Sequence, residues 1–174
     1  MTTLKAKLPP MATLGPAIAL LLACAFFTFQ HENFLTLKNF SLILQQVMVV
    51  GTIAIGQTLI ILTAGIDLSC GMVMALGSIV MTKFAADYGL SAPVAILCGI
   101  AATTLFGLIN GLLVTRVKLP PFIVTLGTLN IAFAITQLYS RAQTITNIPD
   151  GMTLLGDTFA LGEARVPYLS LIHI

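Results

Sequence analysis

The sequence predicts an all-α fold: a polytopic transmembrane helix bundle. Two observations predict it. Of the 174 residues, 57% are hydrophobic and 8% are charged, and the mean hydropathy is +1.03. A soluble domain carries roughly 25% charged residues, so this chain lacks the polar surface to stay dissolved. Apolar runs of bilayer length also recur along the chain, separated by short polar connections. A net charge of +2, spread thinly, excludes a nucleic-acid surface, and no run of like charges suggests a polybasic arm. Cys24, Cys70 and Cys98 lie far apart in apolar runs, and neither His31 nor His173 has a Cys or His at ligand spacing. That pattern argues against a disulfide framework and against a zinc or other metal site. The cysteines read as small packing residues.

The elements follow in order. Residues 1–10 form a short polar tail with Lys5 and Lys7. Residues 12–29 carry no charge, and eighteen helical residues reach about 27 Å, just enough for a bilayer core. A cleaved signal peptide is the rival reading, from Ala23-Cys24-Ala25. The apolar run continues past Cys24, which favours an uncleaved first span. The second span covers 40–64 and is long enough to cross with tilt. "GID" interrupts the run, and the third span covers 68–86, with Lys83 able to snorkel to the interface. Ser91 is placed to cap the fourth span, 92–115, with Pro93 in its first turn. Arg116 and Lys118 end it, and Pro120 and Pro121 open the fifth span, 122–139. Residues 140–168 read as an external loop with short structured pieces and a turn at Pro149-Asp150-Gly151. Basic residues near span ends divide evenly, so the positive-inside rule decides little. Glu32, Asp87, Asp150, Asp157 and Glu163 would share one side, which favours placing the tail inside.

Polar side chains inside a span usually face other helices or a wet cavity, because lipid offers them no partner. Gln46 and Gln57 share one face of the second span. They read either as a hydrogen-bonding wall for a polar solute or as interhelical glue, worth about 0.6 kcal/mol per contact. In the fourth span Ala95, Gly99, Thr103, Gly107, Gly111 and Thr115 recur every four residues, with Asn110 beside them. Such a small-residue ladder, including the GxxxG of Gly107 and Gly111, permits close helix approach. The fifth span adds Thr125, Thr128, Asn130, Thr136 and Gln137, too many polar groups to face lipid all round. Asp67 sits between Gly65 and Gly71 in the middle of the apolar region. Either Asp67 or Ser69 caps the third helix, or the segment is a break inside the membrane, tolerated only beside a cavity. No G-x-x-x-x-G-K-[ST] and no catalytic cluster occurs. The chain is not expected to be an enzyme, and any uphill transport must draw its energy elsewhere.

The segments "GQTLIILTAGIDLSCGMVMALGS" and "GLINGLLVTRVKLPPFIVTLGTLNI" resemble the ribose/xylose/fructose-type permeases of bacterial ABC importers, part of the branched-chain amino-acid/sugar permease superfamily. The likeness covers most of residues 40–168. The matched positions are Gly65, Ile66, Asp67, Leu68, Ser69, Gly71, Asn110, Gly111, Lys118, Pro120, Pro121, Thr125, Gly127 and Thr128. Cys70 stands where relatives often carry Val. Amino-acid permeases commonly carry Asn where Asp67 stands, so "GIDLS" favours sugar.

The resemblance implies the N-terminal part of a permease in the bacterial inner membrane. Such a permease pairs with a second copy or a paralogue and receives a monosaccharide from a periplasmic binding protein. A pair of cytoplasmic ATPases drives it with ATP and Mg, so no cofactor is expected in this chain. Candidate path residues are Gln46, Gln57, Asp67, Ser69, Asn110, Thr125, Thr128 and Asn130; candidate packing residues are Gly99, Gly107 and Gly111. The alternatives are a non-transporting scaffold or regulatory subunit, and a permease for another small polar solute such as an amino acid. Family members are longer, and the ending "LSLIHI" reads as residues 169–174 of non-native, sequencing-adaptor origin after a cut at Tyr168.

Overall fold

The computed structural model describes residues 11–146, 148–161 and 164–167. The expectations for the tail and for residues 168–174 lie outside them. Among the described residues six helices run in order: α1 (Met11–Gln30), α2 (Leu37–Leu62), α3 (Cys70–Ala86), α4 (Ala92–Thr115), α5 (Pro121–Ser140) and α6 (Asp150–Gly156). A two-stranded antiparallel hairpin follows, β1 (Thr158–Leu161) and β2 (Ala164–Pro167), pairing Thr158 with Pro167 and Leu161 with Ala164. Strand β2 lies beside α2. The expected external loop thus carries a short helix and a hairpin on an otherwise all-α chain.

Local chemistry sets the helix ends. Thr36 caps α2: its hydroxyl accepts the Asn39 N–H at 3.3 Å. The other end of α2 closes with a Schellman arrangement. Ala64 N–H donates to Ile61 O and Gly65 N–H to Ile60 O. The left-handed residue of that motif is Ala64, at φ 57°, not a glycine; an L-residue there costs about 1–2 kcal/mol. Gly65 serves a different need: a Cβ on it would lie 3.3 Å from Ile60 O and 3.1 Å from the Ile60 side chain. Ser91 occupies the N-cap of α4, and its carbonyl accepts the Ala95 N–H, but its hydroxyl makes no capping bond. Pro121 opens α5, where its missing N–H costs nothing.

Helices α3, α4 and α5 form the packed centre. α3 meets α4 where Gly77 faces Gly99: a Cβ on Gly99 would lie 2.8 Å from the Gly77 carbonyl oxygen. Only glycine allows the two backbones to come that close. Toward the far end of this pair, Ala85, Ala95 and Met152 of α6 make a small apolar cluster. Lys83 does not extend freely there. Its Nζ pairs with Asp87 at 2.7 Å and lies 5.9 Å from the centre of the Tyr139 ring.

Helices α2, α4 and α5 are each long and apolar enough to cross a membrane. α3 has 17 residues and reaches about 25 Å, short of a core of about 30 Å. Its start at Cys70, two residues later than expected, leaves residues 65–69 non-helical. Those residues sit deep relative to their neighbours. They bond to Gln57, Asn110 and Thr125, each one to two turns from its helix end, or about 6–8 Å inside it.

Candidate functional site: a polar break beside a cleft

The break is held by side chains from every helix around it. Asp67 Oδ1 accepts the Ser69 N–H at 2.7 Å and the Ser69 hydroxyl at 2.6 Å. This is an Asx-type turn, in which a carboxylate two residues back takes over a donor that the helix start leaves unpaired. Ser69 stands at the N-cap of α3, yet its hydroxyl makes no bond to the helix N-terminus. Neither Asp67 nor Ser69 therefore caps α3 as expected: no side chain bonds the helix's first N–H groups, and Asp67 instead closes a turn on Ser69. Asn110 Nδ2 donates to Ser69 Oγ at 3.0 Å, 41 positions away in sequence. Ser69 is 1% exposed and Asn110 8%, so no solvent competes for these bonds.

Gln57 Nε2 donates to the Asp67 backbone oxygen at 2.6 Å and to Cys70 Sγ at 3.0 Å. Thr125, at the start of α5, has one hydroxyl proton, shared between Pro121 O at 2.9 Å and Ile66 O at 3.2 Å. Freed carbonyls of the break thus find donors on α2 and α5, as a buried unwound segment requires. The segment starts α3 and lies below the level of the neighbouring helix ends.

Beside the break opens a cleft of about 310 Å³. Ile60, Thr63, Gly65, Ile66 and Asp67 line it from one side, Gly107, Asn110, Gly111, Val114 and Thr115 of α4 from another, and Pro121 and Thr125 of α5 from a third. The α4 ladder divides in two here. Its first half, Ala95, Gly99 and Thr103, packs on α3. The helix contact expected at Gly107 and Gly111 is not made among the described residues: a Cβ on either would meet nothing within 4 Å. Both glycines form a smooth wall of the cleft instead.

Of the candidate path residues, Gln57, Asp67, Ser69, Asn110 and Thr125 come together at the break. Thr128 is buried one turn further along α5, its hydroxyl spent on Val124 O and Thr125 O. Gln46 is exposed on α2, and Asn130 is exposed on α5 with its amide bonded to Leu126 O. Sequence reasoning missed Cys70, which it took for packing and which accepts from Gln57. It also missed Thr63 and Thr115 at the cleft. The four-residue period that placed Thr115 on the Gly107–Gly111 face was the available signal for that one.

Residues 39–173 match the family described as branched-chain amino acid transport system / permease component. The chain is 43% identical over 159 residues to the fructose import permease of Rhizobium meliloti, covering 88% of this chain and 44% of that protein. It is 34% identical over 164 residues to the ribose import permease of Bacillus subtilis, 93% of this chain and 50% of the other. It is likewise 34% identical over 173 residues to the galactose/methyl galactoside import permease of Escherichia coli, 90% of this chain and 51% of the other. The chain therefore spans about half the length of the curated relatives it matches. No solved structure gives a significant match.

Proposed function

The chain belongs to the branched-chain amino acid transport system / permease component family, and from that premise we propose that it forms part of the membrane path of an ATP-driven monosaccharide importer. The observation that carries this reading is the break at residues 65–69, where a carboxylate, two amides and two hydroxyls are held beside an open cleft within an apolar bundle. Polar groups at this depth are costly unless they pair with one another or face a hydrated route, and here an open cleft lies against them. The relatives' names supply the cargo class: fructose, ribose and galactose. A pure scaffold would use the close α3–α4 contact and leave the cleft without a purpose.

In this reading the end bearing Arg116 and Lys118 faces the cytoplasm, where a pair of ATP-binding subunits supplies Mg and ATP chemistry. The Lys83–Asp87 end faces the periplasm and a sugar-binding protein, and the bilayer is the bacterial inner membrane. Gln57, Asp67, Ser69, Asn110 and Thr125 line or support the route. Thr128 lies one turn beyond them on α5, its hydroxyl bonded within the helix. Gln46 and Asn130, exposed on this chain, carry amides that lipid cannot satisfy; further helices or a second permease copy cover them. Uptake decides the matter. In cells whose only hexose and pentose route is the importer containing this permease, one of radiolabelled D-fructose, D-ribose or D-galactose accumulates, and an inactive ATPase partner abolishes the accumulation. Failure to accumulate any of the three would contradict the sugar reading.

A further inference from the structure

We infer that Lys83 latches the outer end of α5 to α3, keeping that end of the bundle shut while the cleft stands open at the other, and that this contact parts when the route opens outward. The inference rests on the importer reading for its direction and names a gate of that route. The starting observation is an unequal pair of joints. α4 is fixed to α3 through backbone, since a Cβ on Gly99 would lie 2.8 Å from the Gly77 carbonyl oxygen. α5 also packs on α3, but its buried face carries side chains such as Thr128, Ala132 and Ser140. Its one glycine, Gly127, has nothing within 4 Å of an added Cβ. Side-chain contacts re-form after a small rotation more readily than an interlocked backbone pair does.

The hydroxyls between the two ends of α5 do not bridge to α3. Ser78 and Thr82 of α3 and Thr128 of α5 bond carbonyls of their own helices, and the Thr136 hydroxyl is buried with no partner. The polar ties lie at the ends. The inner one is Thr125, whose single proton is shared between Ile66 O and Pro121 O. The outer one is Lys83, in the last turn of α3, with its side chain 18% exposed. Its bond to Asp87 at 2.7 Å is an i, i+4 pair. That pair ties nothing to α5, but it fixes where the ammonium stands. There Nζ lies 5.9 Å from the centre of the Tyr139 ring, in the last turn of α5. Tyr88, just past α3, faces the Tyr139 hydroxyl from the same corner.

A cation within about 6 Å of an aromatic ring centre is attracted to its face. At this distance the attraction shifts an opening equilibrium only a few-fold, which suits a joint that must part in every cycle. Thr136 supplies the reporter. It lies one turn below Tyr139 with its hydroxyl buried, so a thiol in its place is shielded while the outer end is shut and reachable once that end opens.

The test uses the assembled importer in right-side-out membrane vesicles, with Cys24, Cys70 and Cys98 replaced by serine and Thr136→Cys as the single thiol. A membrane-impermeant charged thiol reagent is applied from outside. Without ATP, labelling is expected to be slow, about two- to fivefold faster with Lys83→Met, and near the parent rate with Lys83→Arg, which keeps a cation for the ring. Tyr139→Leu should also speed labelling, and in that background Lys83→Met should add nothing, because both act through one contact. A merely loosened fold would instead give effects that multiply. With ATP inside and the binding protein loaded with whichever of D-fructose, D-ribose and D-galactose the wild type carries, the latched parent should label faster than at rest. Unchanged labelling in Lys83→Met, multiplying effects of the two substitutions, or no acceleration during turnover each overturns the latch while the importer reading stands. If wild type carries none of the three sugars, the importer reading fails, and with no outward opening to serve the gate falls with it.

Discussion

Gly99→Leu is expected to destabilise the detergent-purified permease by about 3 kcal/mol or more, read as a large drop in thermal unfolding temperature and a loss of folded yield. Replacing a glycine inside a helix ordinarily stabilises that helix by about 1 kcal/mol, so the clash must outweigh a gain. It does so because the obstacle is backbone. A Cβ on Gly99 would lie 2.8 Å from the Gly77 carbonyl oxygen and 3.1 Å from Met81 Cβ, and neither can rotate aside. The facing position behaves differently. A Cβ on Gly77 would lie 2.5 Å from Thr103 Cγ2, a side-chain methyl, and 3.4 Å from the Gly99 carbonyl. Gly77→Ala should therefore be the milder change, and Thr103→Ser, which deletes that methyl, should restore most of its loss. An unfolding temperature for Gly99→Leu equal to wild type would show that α3 and α4 do not pack through these glycines.

Asp67→Ala should produce the second large effect, a loss of about 3 kcal/mol in the same unfolding measurement, accompanied by a collapse of uptake. The substitution strands two donors, the Ser69 N–H and hydroxyl, that share one carboxylate oxygen. A buried donor left unpaired costs about 1–3 kcal/mol, and the partly exposed position of Asp67 discounts the sum. Once Ser69 Oγ is released, Asn110 loses the constraint on its amide as well. Asp67→Asn keeps an acceptor oxygen and loses the charge, so it should recover about half the stability. If Asp67→Ala unfolds at the wild-type temperature, the carboxylate does not organise the break.

Much of this architecture was legible in the sequence, because hydrophobic runs of bilayer length leave few alternatives. The span expected at 92–115 coincides with α4 (Ala92–Thr115). α2 begins at Leu37, before the expected 40, because Thr36 and Asn39 cap it locally, a signal hidden within the polar connection. α3 begins at Cys70, after the expected 68, because Asp67 holds Ser69 outside the helix. The polar residues of the site were visible one by one, as misfits in apolar runs. Their assembly was not: the Asn110–Ser69 bond joins positions 41 apart, and periodicity within one helix carries no information about its partner. Gly107 and Gly111 show the same limit. A GxxxG spacing says that a wall is smooth, and it does not say whether a helix or a cleft lies against it.

The central claim is that the side chains around residues 65–69 border a water-filled route. Thiol accessibility tests it most directly. With Cys24, Cys70 and Cys98 replaced by serine, single cysteines are placed at Gly107, Gly111 and Leu105, and a membrane-impermeant charged thiol reagent is applied from the Arg116–Lys118 side. Residues 105 and 107 stand about 200° apart around α4; Gly107 lines the cleft, and Leu105 is exposed outside it. The expected result is rapid labelling at 107 and 111, slowed by the transported sugar, and none at 105. Equal reactivity at 105 and 107, or protection of both glycine positions with no sugar present, would mean that the polar break borders lipid or dry protein.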